Sequence, residues 1–289
     1  MLLLLLACQG SPPAALPPTP AQAGASAPPV AAAPAAPPAK VPPEVVATTG
    51  PENVLEGVCE ASALVWRQGR WVVADNEVAD KLFLFDRQFK PVGTLPIDPP
   101  VKDIEALALH DGRLFVVGSH SRKKSGKEDL KRRQVVELGV GPVPLSWAGC
   151  PVCTAAMEEQ EEGRGLNVEG AWWDGGLWLG LRAPVPSGKT LLVRSDTGEM
   201  REVDTGGLGV REAVRRSEEL QLVLGPAADA PGPFKLWSDR RGVIGTLPEG
   251  LEGLAKDPEG LLWGVTDGAK GEEGGPCKEV SRWYKIGVL

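Results

Sequence analysis

The sequence predicts an all-β fold, a β-propeller of five blades preceded by a Pro/Ala-rich disordered tether. Three observations predict it. A strand–turn–strand pattern recurs five times at a period near 40 to 45 residues, the length of one blade. Each copy carries a Glu at the start of its first apolar strand and a Gly-marked or acidic turn before its second, as a hairpin requires. Charge is confined to the later part of the chain: residues 1–43 contain one charged side chain, Lys40, and residues 9–43 contain 12 prolines. Pro-rich chain advances about 3 Å per residue and buries no core.

The chain begins with an apolar, Leu-rich run that ends at Cys8. Leu5-Leu6-Ala7-Cys8 resembles the lipobox of bacterial lipoproteins, in which the cysteine is acylated. This divides the chain into a signal peptide (1–7), a tether (8–43) and a propeller domain (44–289). No Lys or Arg precedes the apolar run, where a secretory signal has a basic region, so the natural start is expected upstream. The expectation is a monomeric outer-membrane lipoprotein of the bacterial cell envelope, facing the periplasm or the cell surface. It would touch the membrane through its lipid alone, since no apolar run reaches the 18 to 20 residues of a spanning helix.

The copies are explicit. Glu60 to Trp66, a turn at Gln68-Gly69 and Arg70 to Asp75 form the first; Asp103 to Leu109, Asp111-Gly112 and Leu114 to Ser119 the second. Asn167 to Trp173 with Leu177 to Arg182 is the third, Arg211 to Val214 with Leu220 to Gly225 the weaker fourth, and Leu251 to Ala255 with Leu261 to Asp267 the fifth. Glu60, Glu105, Glu169, Glu212 and Glu252 are then spaced by 45, 64, 43 and 40 residues. The long gap holds an insertion at 148–165. Its length leaves room for a sixth blade, but it is too polar and Gly-rich for four strands. The chain ends after the third strand of the fifth copy, so Val45 to Thr48 is expected to supply the missing strand and close the ring, which removes an open sheet edge.

In a propeller the first strand of each blade leaves the same face that the second returns to. Glu60, Glu105, Glu169, Glu212 and Glu252 are therefore expected at one mouth of the channel, with Asp75, His120, Arg182, Arg211 and Asp267. Such a ring of carboxylates can hold a hard cation through oxygen or perform acid and base work; alternatively the arginines neutralise it as a structural network. His120 between Ser119 and Ser121 is a weak candidate for a nucleophile and base, because neither serine occupies a strained elbow. Arg122 to Arg133 holds seven basic residues and Glu158 to Glu162 four acidic ones. Both segments are expected above the same mouth, as solvated loops. The net charge of −7 argues against a nucleic-acid partner.

The order and spacing of Asp75-Asn-Glu77, Asp103-Ile-Glu105, Gly118-Ser-His-Ser121, Asn167-Val-Glu169-Gly170, Leu181-Arg-Ala-Pro184, Gly209-Val-Arg211-Glu212, Gly225-Pro226 and Thr266-Asp-Gly268 resemble an uncharacterised family of secreted bacterial propellers. More distantly the pattern is similar to esterase-like phytase and calcium-dependent lactonase propellers. The latter resemblance implies calcium as the cofactor, with Glu60, Asn167 and Asp267 as its ligands. The leading expectation is a ligand-binding or interaction module for a small molecule or protein. The alternative is a metal-assisted esterase, phosphoesterase or lactonase with its site at the channel mouth.

Beyond Cys8 four cysteines remain, an even number that predicts two disulfides in an exported chain. Cys59 lies just before the first inner strand, and Cys277 lies between the second and third strands of the last copy. Both belong to the mouth face, and copies one and five are neighbours only in a closed ring. Cys59–Cys277 is therefore expected as a latch and Cys150–Cys153 as a local pair.

Overall fold

The ring is closed by the strand that comes first in the chain. The computed structural model describes residues 45–48, 53–159, 163–216, 218–272 and 275–288; the signal segment, Cys8 and the tether lie outside them. Strand β1 (Val45–Thr48) belongs to the last blade. Blade one follows as β2 (Ala61–Arg67), β3 (Arg70–Asp75), β4 (Lys81–Phe85) and β5 (Pro91–Pro96). Blade two is β6 (Ile104–His110), β7 (Arg113–Gly118), β8 (Val135–Glu137) and β9 (Gly141–Pro142). After a short helix α1 (Pro151–Ala156), blade three is β10 (Asn167–Trp173), β11 (Leu177–Ala183), β12 (Lys189–Arg194) and β13 (Met200–Asp204). Blade four is β14 (Gly209–Arg216), β15 (Glu219–Gly225), β16 (Phe234–Ser238) and β17 (Gly242–Leu247). Blade five is β18 (Leu251–Lys256), β19 (Leu262–Thr266) and β20 (Arg282–Val288), with β1 paired antiparallel on its outer edge, Val45 against Val288.

The result is five four-stranded antiparallel sheets. The insertion adds no sixth blade; its described residues carry α1, which the irregular composition did not announce. Cys150 caps this helix by accepting the Cys153 N–H, and Pro151 fits its first turn.

Burial follows from stacking a blade between two others. Second strands are buried from end to end once past the turn, as in β3 and β7, whereas outer strands such as β5 and β13 are largely exposed. The turns Gln68-Gly69 and Asp111-Gly112 have positive φ at both residues, the conformation that matches the twist of a two-residue hairpin. The core is divided into five apolar clusters, one in each seam between neighbouring blades. In the seam between blades five and one, Phe89 stacks on Trp71 (5.1 Å) and on Trp283 (4.7 Å), with Trp263 against both Trp71 and Trp283.

That seam also carries the latch, Cys59–Cys277, with a Cα–Cα distance of 5.2 Å and a sequence separation of 218 residues. Cys150 and Cys153 are joined locally, and both sulfurs lie buried in the seam between blades two and three. Chain entropy makes these bonds unequal: closing the long loop restricts the unfolded chain by about 5 kcal/mol and the short one by roughly 2 kcal/mol. The double change Cys59→Ser, Cys277→Ser is therefore expected to lower stability in urea well beyond Cys150→Ser, Cys153→Ser. Equal losses would mean that the seam is held by packing alone.

Candidate functional site at the channel mouth

The inner strands β2, β6, β10, β14 and β18 pack against one another around the axis. Each skips one residue of its own in pairing with its hairpin partner, Ser62, Glu105, Glu169, Arg211 and Glu252, and in blade three the partner strand skips Arg182 as well. A β-bulge re-aims the side chain it frees. All five of these residues line a single cavity of about 690 Å³.

The bulges correct the expected equivalence in two blades. Glu60 precedes its bulge by two residues; it lines the cavity all the same. Glu212 follows its bulge by one and is turned out of the cavity, fully buried, with one carboxylate oxygen accepting the Ala213 N–H at 2.8 Å. Burial raises its pKa well above the usual carboxylate range. The true spacings are 43, 64, 42 and 41 residues, more even than those between glutamates. A usable signal was present: the bulge is followed by Ala63, Ala106, Gly170 and Gly253 in four blades. The reason is close approach. A Cβ on Gly253 would lie 3.1 Å from the backbone of Ala63 and Leu64 in the next blade, and one on Gly170 would lie 2.6 Å from Val210.

Arg211 organises the ring. From blade four its Nε lies 3.0 Å from Glu169 of blade three, and its Nη2 donates to Glu252 of blade five. Glu169 also accepts from Arg182 at 2.9 Å and from the Asn167 amide at 3.0 Å, and Arg182 reaches Asp229 as well. Both guanidiniums are nine-tenths buried; burial alone would loosen their protons, but the carboxylates around them, Glu169 above all, raise the pKa of each arginine. Beside them Ser121 donates to Asp103 at 3.3 Å, while Arg132 donates to Asp103 at 2.7 Å and to Ser121 at 3.0 Å. Arg132 was hidden in the basic run, and only the fold shows that it reaches back to an inner-strand start.

Other carboxyls of the cavity are less fully answered. Glu105 lines the cavity half-buried and has no hydrogen bond or ion pair among the described residues. Burial raises its pKa well above the normal range, reinforced by the charges of Asp103 and Glu169 and opposed by Arg211. Burial likewise pushes Glu252 up to about 7, against the pull of Arg211, and Asp267 up to about 7, with Glu252 and Glu60 adding to the effect. Glu60 itself is raised by burial and by Glu77.

Two expected members stand apart from the cavity. Asp75 is a buried structural carboxylate that accepts the backbone N–H groups of Cys59 (2.9 Å), Glu60 (3.3 Å) and Glu77 (3.0 Å), fixing the entry to blade one. His120 is buried edge-on against Trp147 with Nδ1 2.7 Å from the Gly118 carbonyl, and burial lowers its pKa to about 4. Ser119 and Ser121 bond to each other at 2.8 Å, so no Ser–His pair forms at the cavity.

The three residues expected to hold calcium, Glu60, Asn167 and Asp267, all line the cavity. Among the described residues no three acidic, His or Cys side chains converge as a metal-holding group. Glu60 and Asp267 come from adjacent blades one and five, while Asn167 belongs to blade three and is tied to Glu169. Its Oδ1 is buried without a partner, but one amide oxygen is far from the six to eight oxygens that calcium takes. The cation of this ring is a guanidinium.

No protein-family model matches the chain, and neither does any curated protein sequence. Solved propellers are similar to it. They include a glutaminyl cyclase of Myxococcus xanthus (14% identity, 86% of this chain and 100% of that one, TM-score 0.46), a glucose dehydrogenase (16%, 86% and 100%, 0.43) and a gluconolactonase from Xanthomonas campestris (11%, 86% and 95%, 0.42). Their activities are not carried over to this chain.

The raised carboxyls set a pH dependence. A folded state that keeps a proton up to about pH 7, where the unfolded chain releases it near pH 4, is stabilised in acid and loses that stability as pH rises from about 4 to about 7. Asp267→Asn removes one such group, so relative to wild type the variant is expected to gain stability at pH 7.5 over pH 5 in urea melts. An offset that is equal at the two pH values would show that Asp267 is ionised throughout.

Proposed function

We propose that the channel mouth is a binding pocket for a small molecule bearing a cationic nitrogen, on a propeller held at the cell envelope by lipid on Cys8. The observation that carries the pocket is Glu105. A carboxyl among other carboxyls with no cation beside it is costly to ionise, and the protein keeps this one in a cavity of about 690 Å³ that Glu60 and Asp267 also line. An ammonium group supplies the missing charge and up to three donors. Binding suits the geometry better than hydrolysis, because among the described residues no serine at the mouth is hydrogen-bonded to a histidine and the arginines are committed to carboxylates.

Butylamine titrated into the full chain is expected to bind with release of protons, seen as a heat that depends on the ionisation enthalpy of the buffer. Glu105→Gln should weaken binding about tenfold or more, the worth of a charged hydrogen bond. Butylamine binding that Glu105→Gln leaves unchanged would sink the reading. Saturating calcium and a chelator should give the same melting curve, since a ligand bound to the folded state would raise the melting temperature; a shift with calcium would restore the metal-assisted alternative.

Support for the anchor comes from the lipobox-like Leu5 to Cys8 and from two disulfides, which persist in oxidising compartments. Among the described residues no helix is long and apolar enough to cross a membrane. Cys8→Ala is expected to move the protein from the membrane fraction to the soluble fraction and to abolish acylation, because stable anchoring depends on the acyl chains. Wild type recovered without lipid by mass spectrometry would refute the anchor.

A further inference from the structure

The six cations that line the cavity are not equivalent. Arg122 is paired with Glu158, Lys123 with Asp129 at 3.0 Å, and Arg132 with Asp103, while Arg182 and Arg211 serve the buried carboxylates. Lys124 is exposed, lines the cavity and has no hydrogen bond or ion pair among the described residues. It belongs to the loop after β7, whose stretch Arg122 to Arg133 carries seven basic residues against Glu128 and Asp129. Glu158, paired with Arg122, and Glu159, which lines the cavity, offset part of that excess. The cavity thus has unpaired carboxyls inside and an unpaired ammonium at its edge.

We infer that the ligand is a zwitterion, a small molecule that turns its amine down to Glu105 and a carboxylate or phosphate up to Lys124. The inference rests on the amine-binding reading of the same pocket and adds the second charge and its direction. A simple amine satisfies Glu105 and leaves Lys124 facing water; a simple anion meets Lys124 and finds at Glu105 no charge to pair with. A molecule carrying both charges matches both ends. Its orientation follows from the place of Glu105 at the bulge of inner strand β6 and of Lys124 on the exposed loop after β7.

Calorimetry on the full chain at low ionic strength separates the two readings. The probes are butylamine, butyrate, phosphoethanolamine and a series of ω-amino acids from β-alanine to 6-aminohexanoate, which covers the unknown distance between the charges. The best zwitterion is expected to bind roughly two- to fivefold more tightly than butylamine, as befits a pair at an exposed rim, and butyrate not to bind. That gain should vanish in Lys124→Gln and in about 0.5 M salt, where exposed pairs are screened, while butylamine affinity stays that of wild type. Thermal melts establish that the variant folds, and Lys124→Arg should keep the gain. Zwitterions binding no better than butylamine, or a gain that survives Lys124→Gln, would overturn the inference and leave the amine reading standing. A wild-type protein that binds none of the amines would overturn both.

Discussion

The structure depends on one buried cation. Arg211 leaves the inner strand of blade four at a bulge and forms an ion pair with a carboxylate on each side, Glu169 in blade three and Glu252 in blade five. Its stem packs beside Gly225, where a Cβ would lie 2.9 Å from Arg211 Cγ, and its guanidinium lies 5.5 Å from the Phe234 ring centre. Burying charges of both signs adds little net stability, but leaving Glu252 without this guanidinium would cost about 3 to 5 kcal/mol, while Glu169 would keep Arg182. The arrangement therefore penalises any misplacement of three consecutive blades. Blades one and two are joined more simply, by the Ser62 hydroxyl donating to the Ile104 carbonyl. The last seam uses the disulfide, together with the Ser281 hydroxyl accepting from Ala61 N–H at 2.9 Å.

The same division explains how polar chemistry and a dry core coexist in a domain without a central core. Apolar contacts run between blade faces, whereas the bulged residues project along the axis, where five strands converge and no face is available to bury. A side chain on that axis meets water on one side only, so its charge must be answered by a neighbour on the ring or by a ligand. This is why the perturbed carboxyls gather at the mouth while ion pairs elsewhere, such as Lys189–Glu202 and Arg201–Glu199, lie on the exposed outer strands.

What was legible in the sequence was whatever local chemistry repeats. The hairpin turns, the alternating strands and the period specify blades, and a chain that ends one strand short requires Val45 to Thr48 to complete the ring. The latch followed from blade order alone. The register at the axis was less legible, because glutamate was used as its marker. In blade one the bulge position holds Ser62 and the nearby Glu60 mimics the mark; in blade four it holds Arg211 with Glu212 beside it. A bulge is a backbone event, and its trace in sequence is the small residue that follows, required by strand contact rather than by charge. Helix α1 was missed for a different reason: six residues nucleated by Cys150 and Pro151 depend on their seam contacts, since so short a helix has little stability of its own.

The ring also shows how one exception can create a site. Five identical glutamates at the bulges would repel one another and none would be singled out. Here the positions read Ser62, Glu105, Glu169, Arg211 and Glu252 around the axis. Arg211 touches only adjacent blades, so it answers Glu169 and Glu252. Ser62 adds no charge. Glu105, in blade two, is the one glutamate of the ring with no cation next to it: its neighbours are the serine on one side and, on the other, Glu169, already committed to Arg182 and Arg211. The asymmetry that neutralises three blades leaves a single carboxyl at the floor of the cavity without an internal partner, which is the condition a bound cation would satisfy.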